Sequence, residues 1–339
     1  MSKLDEVAKL AGVSKSTVSR VINHSDTVSA QSKQKVLEAM QTLQFQAQEL
    51  KRSSDSSGMI GLVLPFGKQI MSQSFGIDLL VGAEEKAFEN DYMILIGNSV
   101  GGREPQLTAK MMQRGAEGLI MLIGSGKPGQ KEHLNNLQAQ GMPIVLVDQK
   151  VDGIETHLVR GDNFMGAVTL VEHLFGLGHE RIGIVSPNKH FTHKERIKGY
   201  RYALMDKQVR VPERYELFVE GESAGIEEAL ERMLTGAERP TALFVTSPGL
   251  LMSVMSVLNR LELRVPEQIS IVTFDEVYGN FPEEYQDMFT SINQSGKQMG
   301  GMAVELLFQH SRSPELEYQE IVLPGKFTAR RSTGPAQGM

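Results

Sequence analysis

The stretch "LDEVAKLAGVSKSTVSRVIN", residues 4–23, decides the organisation of the amino-terminal part of the chain. Its first apolar residues recur at the spacing of one helical face, and Gly12 directly after them can supply a left-handed turn. Ser14 suits the N-cap of a second helix that is predicted to end near Asn23. The pattern therefore predicts two short helices joined by a tight turn. The residues predicted to point inward are Leu4, Val7, Ala8, Ala11, Val18, Val21 and Ile22.

A third helix is predicted from about Ala30 to Leu43. Its apolar stripe would brace the first two helices, so residues 1–47 are predicted to form a three-helix helix-turn-helix domain. The serine-rich stretch "KRSSDSSG", residues 51–58, is typical of a linker, and we assign the hinge to 48–58. The stripe of the third helix consists of Val36, Leu37, Met40 and Leu43.

From residue 59 onward, short continuous apolar runs alternate with amphipathic stretches. Such runs are typical of parallel strands buried on both faces, and the stretches between them predict covering helices. The strands are too many for one compact sheet, which predicts an α/β chain with two doubly wound subdomains. The predicted strands are 59–65, 92–98, 118–124, 143–148, 181–186, 241–246, 270–275, 289–294 and 319–324. The predicted subdomains are 59–158 plus 291–321, and 159–290 plus 322–339.

The composition limits the classes of protein to which the chain can belong. Its 339 residues are enough for two or three domains, each with its own core. The chain contains no cysteine, which excludes disulfides and thiolate metal sites. A signal peptide and a membrane span are not expected, so a cytoplasmic protein without a membrane partner is predicted. The net charge is −6, yet residues 1–57 hold eight Lys and Arg against six Asp and Glu, which permits a nucleic-acid-binding module.

The segment "DEVAKLAGVSKSTVSRVIN", residues 5–23, resembles the operator-reading segment of the LacI/GalR family of transcriptional regulators. Later segments match that family's pattern in order, so the resemblance covers nearly the whole chain. It implies a sequence-specific repressor of carbohydrate genes, in which two lobes like those of periplasmic binding proteins hold a small sugar or sugar-phosphate effector. The opening segment and "ALFVTSPGLL" lean towards the fructose/sucrose-repressor branch. The later segments are "VRGDNFMGA" (159–167), "HLFGLGHERIGIV" (173–185), "ERIKGYRYAL" (195–204), "VPEQISIVTFDE" (265–276) and "ARRST" (329–333).

The resemblance places the second helix in the DNA major groove, whose width admits an α-helix. Lys15 and Arg20 suit the acceptors of guanine, and Ser16 suits a donor or an acceptor. The resemblance implies that these three residues read base edges. It implies that Thr17, Ser19 and Asn23 position the DNA backbone.

Four further polar residues are candidate phosphate contacts, namely Ser29, Ser32, Lys51 and Arg52. One small module makes few contacts with DNA, so a homodimer on two half-sites of double-stranded operator DNA is expected, with a tetramer left open. The alternative from periodicity alone is a small three-helix domain with a solvated polar face.

The hinge departs from the family pattern. Members of the family that bend DNA have a proline and, further on, a leucine that wedges into the minor groove. Phe45 matches the aromatic residue of that pattern, but Ala47 replaces the proline and Ser54 replaces the leucine. Leu50 is an alternative wedge that lies one turn early, and it could equally be a contact between helices. Bending of operator DNA through the hinge is therefore in doubt.

Ligands of open α/β sheets bind at the carboxyl ends of the strands. The resemblance implies that Arg196 holds sugar hydroxyls or a carboxylate and that Asp275 accepts hydrogen bonds from sugar hydroxyls. Asp148 ends a strand in a similar place. Phe75 matches an aromatic residue near the cleft entrance, and Ser247 belongs to the same set of effector contacts. The alternative for an Asp at a strand end is a helix N-cap.

Two departures in the cleft bear on the effector. Ser247 and Pro248 replace the family's Asn-Asp pair, and a longer first loop carries Lys68. Because a carboxylate is lost and a cation is gained, the sequence favours an anionic effector such as a sugar phosphate.

Two other classes of protein share a doubly wound body. A sugar-binding protein of the periplasmic-binding-protein type would lack residues 1–50, and an enzyme would need a catalytic constellation. No nucleophile–base pair, phosphate loop or dinucleotide fingerprint is recognisable, so we assign no catalytic residue and expect no cofactor. The histidines match no metal-ligand spacing, so no metal site is expected; they include His157, His173, His179, His190 and His193.

Overall fold

The structure is a computed structural model in which the chain forms two compact units, Met1–Gly58 and Met59–Met339. The structure describes residues 3–22, 28–43, 57–65, 74–124, 128–188, 190–219, 226–236, 238–276, 282–285 and 287–337. Within these ranges, no helix is long and apolar enough to cross a membrane.

The amino-terminal unit contains the three predicted helices, α1 (Lys3–Ala11), α2 (Lys15–Ile22) and α3 (Ala30–Thr42). The turn after α1 has Gly12 in the left-handed region, with a φ of 65°, as its position predicted. The N–H of Val13 donates to the carbonyl of Ala8 at 3.0 Å, which closes the end of α1. The Ser14 hydroxyl accepts the N–H of Thr17 at 3.2 Å and caps α2.

A small apolar core holds these helices together. Each helix contributes residues at helical spacing, so the amphipathic pattern of the sequence accounts for the packing. Leu37 is a correction to the predicted stripe, because its side chain is 47% exposed. The core consists of Val7, Ala8, Ala11, Val18, Val21, Val36, Ala39 and Met40.

The unit from Met59 onward alternates strands with helices. Its strands are β1 (Met59–Leu64), β2 (Met93–Asn98), β3 (Leu119–Met121), β4 (Ile144–Val147), β5 (His157–Gly161), β6 (Ile182–Pro187), β7 (Glu216–Val219), β8 (Ala242–Val245), β9 (Ser270–Phe274), β10 (Thr290–Asn293), β11 (Glu320–Leu323) and β12 (Lys326–Thr328). Its helices are α4 (Ser74–Phe88), α5 (Glu104–Gln113), α6 (Gln130–Ala139), α7 (Asn163–Gly176), α8 (Phe191–Asp206), α9 (Ile226–Leu234), α10 (Pro248–Arg260) and α11 (Gly296–Arg312). Two short 3₁₀ turns lie at Glu213–Tyr215 and Glu283–Tyr285.

The strands form two six-stranded sheets of related topology. The first sheet has the order β11-β5-β4-β3-β1-β2 and is parallel throughout. The second sheet has the order β12-β10-β9-β8-β6-β7, and only β12 is antiparallel to its neighbour. We call each sheet with its covering helices a lobe. The first lobe contains α4, α5, α6 and α11, and the second contains α7 to α10.

Alternate residues of each strand enter opposite faces of the sheet, which explains the continuous apolar runs. Ile60, Leu62 and Leu64 pack under α4 and α11, whereas Val63 packs under α5 and α6. On the first face, α4 and α11 lie very close together. Gly82 permits this approach because it has no side chain, and a Cβ there would overlap the carbonyl of Lys297. The two sheets and their covering helices confirm the predicted α/β architecture with two doubly wound subdomains.

Between the described elements, the chain crosses from one lobe to the other three times. The predicted divisions at 158/159, 290/291 and 321/322 each fall inside a strand, namely β5, β10 and β11. A strand pairs with one sheet only, so sheet membership puts the crossings after Gly161, Asn293 and Leu323.

Candidate functional site

The first turn of α2 presents polar side chains at the surface of the amino-terminal unit. Lys15 and Ser16 are exposed, whereas Thr17 is half-buried. The hydroxyl of Ser14 lies 2.8 Å from the hydroxyls of both Ser16 and Thr17. Part of this hydroxyl cluster therefore stabilises the helix start, and Lys15 and Ser16 are placed where a DNA groove could reach them.

The remaining predicted DNA contacts are described only in part. Ser29 caps α3 by accepting the N–H of Ser32 at 3.3 Å, and its hydroxyl donates to that of Ser32 at 3.0 Å. Ser29 is exposed and Ser32 is half-buried at the helix start. Ser19 and Arg20 lie within α2, and only their place in the helix is described. Asn23, Phe45, Ala47, Leu50, Lys51, Arg52, Ser54 and Lys68 lie outside the described residues.

The two predicted aspartates occupy equivalent places in the two lobes. Asp148 directly follows β4, and Asp275 directly follows β9. Both have left-handed backbones, with φ values of 61° and 63°. The N–H of Asp148 donates to the carbonyl of Val159 at 2.8 Å, and that of Asp275 donates to the carbonyl of Ile292 at 2.7 Å. Each carboxylate is thus held at the carboxyl edge of its sheet, where ligands of this fold class bind.

Arg196 lies buried on α8 between these carboxylates. Its Nε donates to Oδ1 of Asn163 at 2.7 Å, and one Nη donates to the carbonyl of Thr246 at 2.7 Å. The other Nη lies 3.6 Å from Oδ2 of Asp275. The guanidinium also stacks over the ring of Phe274, 3.8 Å from its centroid. The sequence prediction that Arg196 and the two aspartates meet in one cleft agrees with this geometry, while their role in binding stays a prediction.

The charges of the cleft bear on which effector it can hold. Burial raises the pKa of Asp148 to about 6, with a further rise from Asp275 and a counteracting effect of Arg196. Burial also lowers the pKa of His193 well below its ordinary value, so this neighbouring ring is neutral at pH 7. Among the described residues, the guanidinium of Arg196 lies beside two carboxyl groups, and Arg160 also acts on the carboxyl group of Asp148. Lys68, on which the expectation of an anionic effector partly rests, lies outside the described residues, so that expectation stays a prediction.

Two residues predicted as effector contacts have other partners. The Ser247 hydroxyl accepts the N–H of Gly249 at 3.3 Å and caps α10. Phe75 is half-buried and packs against the core of the first lobe. The residue before Ser247, Thr246, accepts a hydrogen bond from Arg196 through its carbonyl.

Sequence reasoning missed the amide side chains of the cleft. Gln294 donates through Nε2 to both carboxylate oxygens of Asp275, at 3.1 Å each. Gln149 donates through Nε2 to the hydroxyl of Thr192 at 3.3 Å. The available signal was position, because Gln149 and Gln294 come within two residues of a strand end, as Asp148 does.

Three buried acceptor atoms of the cleft have no hydrogen-bond partner among the described residues. They are Oδ1 of Asp148, Oε1 of Gln149 and Oε1 of Gln294. Buried polar atoms are normally satisfied, so a site with unpaired acceptors suits a ligand rich in O–H or N–H donors. A polyol or sugar meets this requirement.

The histidines named in the sequence have protein partners. His179 contacts the hydroxyls of Thr241 and Ser270 and the carbonyl of Gly334, and it fixes the carboxyl-terminal segment. His173 contacts the hydroxyl of Thr333. Among the described side chains, no group of three or more His, Asp or Glu is placed to hold a metal ion.

The architecture is that of a helix-turn-helix unit followed by a two-lobed ligand-binding body. Residues 3–48 match the family of bacterial regulatory proteins, lacI family, and residues 171–333 match a periplasmic binding protein-like domain. The ribose operon repressor of Escherichia coli (strain K12) is 27% identical, over 95% of this chain and 97% of that protein. Catabolite control protein A of Priestia megaterium is 28% identical, over 97% of this chain and 98% of that protein.

A solved structure supports the same assignment. A LacI family transcriptional regulator from Enterococcus faecium, with bound ribose, is 26% identical with a TM-score of 0.68. It covers 82% of this chain and 100% of its own. The chain thus carries the helix-turn-helix domain of the lacI family of bacterial regulatory proteins followed by a periplasmic-binding-protein-like domain, and it is a DNA-binding transcriptional regulator.

Proposed function

We propose that this regulator is a homodimeric repressor that binds operator DNA through α2 and changes its DNA affinity when a small neutral sugar binds between the lobes. The buried cluster of Asp148, Arg196 and Asp275 supports this proposal most strongly. Such a cluster has two carboxyl groups and unpaired acceptors for hydroxyl donors, and it lies at the strand ends of both lobes. Because operator DNA is the partner, the proposed place of action is the cytoplasm.

The proposal of a neutral sugar rests on the charged groups of the cleft and on two relatives. One relative is named a ribose operon repressor, and one related structure contains ribose. A neutral sugar offers the donors that the unpaired acceptors need and adds no negative charge beside two carboxyl groups.

The proposed dimer has a suitable surface on the first lobe. Strand β2 is the outer strand of its sheet, and Met93 and Ile96 on it are exposed. Ile77, Val81 and Phe88 on α4 are also exposed large apolar residues. An unpaired sheet edge next to exposed apolar side chains is a typical site of association, so we propose that it contributes to the dimer.

The experiment that tests the proposal is selection of genomic DNA fragments with the purified chain, repeated with neutral sugars and their phosphorylated counterparts. We expect one enriched DNA sequence and a neutral sugar that alters its binding. Enrichment of no sequence would contradict the regulator's operator specificity, and a response only to phosphorylated sugars would contradict the neutral effector.

The roles within α2 can be tested on the selected operator. Arg20→Ala should weaken binding by about 1–3 kcal/mol and relax the preference at one base pair. Thr17→Ala is the matched control, which should weaken all DNA sequences more evenly. Identical effects of the two substitutions on affinity and on base preference would show that these roles are wrongly assigned.

A further inference from the structure

Gln149 carries a hydrogen bond across the cleft between the two lobes. It follows Asp148 at the end of β4 in the first lobe, and its Nε2 donates to Oγ1 of Thr192 at 3.3 Å. Thr192 lies in the first turn of α8, in the second lobe. Only 7% of Gln149 and 4% of Thr192 is exposed. The bond therefore joins the lobes in a place that water hardly reaches.

The amide of Gln149 is only half used by this bond. Its Oε1 is buried and has no hydrogen-bond partner among the described residues. The oxygen and nitrogen of an amide can be exchanged by a flip, but the flip would leave one polar atom without a partner as before. One end of the side chain thus holds the second lobe, and the other end is available to a ligand.

The first turn of α8 links Thr192 to the strand ends of the second lobe. His193, the next residue, lies with Nδ1 3.3 Å from Oγ1 of Thr246. Oγ1 of Thr246 in turn donates to Oγ of Ser186 at 2.7 Å. Arg196, one turn on, bonds the carbonyl of Thr246. A displacement of Thr192 would therefore act on Ser186 in β6, on Thr246 after β8, and on the guanidinium of the cleft.

We propose that Gln149 is a positioning residue that couples effector occupancy to closure of the lobes. Its bond to Thr192 holds the lobes together, and its Oε1 atom contacts the effector. The same side chain therefore responds to effector binding and to closure of the lobes. The contact with the effector rests on the proposed effector function, whereas the bond to Thr192 concerns the protein without a ligand. The effector stabilises the closed lobes only to the extent that it binds the closed state more tightly than the open state.

The bond can be tested in the full chain without a ligand. Because the chain has no cysteine, Asp152→Cys and Lys194→Cys introduce two exposed spin-label sites, one on each lobe. Pulsed dipolar spectroscopy then measures the distance between the labels. We expect a single narrow distance in the labelled parent and in Thr192→Ser, which keeps the hydroxyl. We expect a longer or broader distribution in Gln149→Leu and Thr192→Val, which remove the bond.

The double variant Gln149→Leu with Thr192→Val should resemble the single variants, because both remove the same bond. Circular dichroism of each variant checks that the chain is folded, and Gln149→Asn is a second, less disruptive change if Gln149→Leu fails to fold. The same narrow distance in the parent and in all variants that remove the bond would overturn the proposal.

D-Ribose is the probe for the free amide atom. Where the parent binds ribose, Gln149→Leu should weaken this binding by about tenfold, since one hydrogen bond is lost and others lose their geometry. Equal ribose affinities in parent and Gln149→Leu would contradict the effector contact. No ribose binding by the parent would count against the proposed effector class, and the distance measurement would still decide the role of Gln149.

Discussion

The ends of β4 and β9 carry the same residue in the same backbone conformation, yet they place it in different surroundings. Asp275 accepts two hydrogen bonds from the amide of Gln294 and lies beside Arg196. Asp148 has one oxygen without a partner, and burial raises its pKa to about 6. The strand ends thus determine where the carboxyl groups lie, while the neighbouring side chains determine which carboxylate oxygens have a hydrogen-bond partner.

Removing Arg196 should have the largest effect, because it acts on both aspartates. Arg196→Ala leaves two buried carboxyl groups without their guanidinium, so the free energy of unfolding should fall by about 3–5 kcal/mol at pH 7. The loss should be smaller at pH 5, which lies below the pKa of about 6 of Asp148, because that carboxyl group is then largely protonated and needs its guanidinium less. Urea unfolding at both pH values measures this difference. Arg201→Ala is the control on the same helix, since that side chain is largely exposed, and it should cost under about 1 kcal/mol. Equal losses in the two variants would contradict the account.

Asp275→Asn should destabilise the chain by about 2–4 kcal/mol at pH 7, because it removes a charge that pairs with a buried guanidinium. Asp152→Asn, an exposed change in the same chain, should have almost no effect. Urea unfolding again gives the free energies. A stabilised Asp275→Asn variant would mean that its carboxylate is not held by its neighbours as the distances indicate.

Asp148→Asn should change the free energy of unfolding in the opposite direction and by the smallest amount. The folded-state pKa of about 6 lies above the ordinary value of 3.8, so the stability that protonated Asp148 provides is present below about pH 4. This stability is lost as the pH rises through 6. An uncharged Asn should therefore stabilise the empty protein by about 1–3 kcal/mol at pH 7. Thermal unfolding measures this gain in stability, which should disappear towards pH 4. A gain that persists at pH 4 would point to packing instead.

Much of the fold could be predicted because its signals are local. The turn at Gly12 and the apolar runs that became strands depend on neighbouring residues. The sequence did not predict β5 or β7, in which polar residues such as Arg160 and Glu216 interrupt the apolar pattern. Leu37 continues the stripe of α3 in sequence, yet the neighbouring helices of this small domain do not cover it.

The candidate site was predicted only in part. Asp148, Arg196 and Asp275 were named from strand ends and from the family resemblance, and the structure brings them together. Gln149 and Gln294 were missed because an amide at a strand end has no distinctive spacing. The expectation of an anionic effector came from one lost carboxylate and one added lysine, and it stays a prediction because Lys68 lies outside the described residues.

The crossings between the lobes follow Gly161, Asn293 and Leu323, and two of them lead directly into cleft residues. Asn163, which accepts a bond from Arg196, lies just after the first crossing, and Gln294 lies at the start of the second. A molecule bound there acts close to the pivot of the two lobes. A shift of a few tenths of an ångström at a pivot becomes a displacement of several times that size at the far end of a lobe, in proportion to the length of the lever arm.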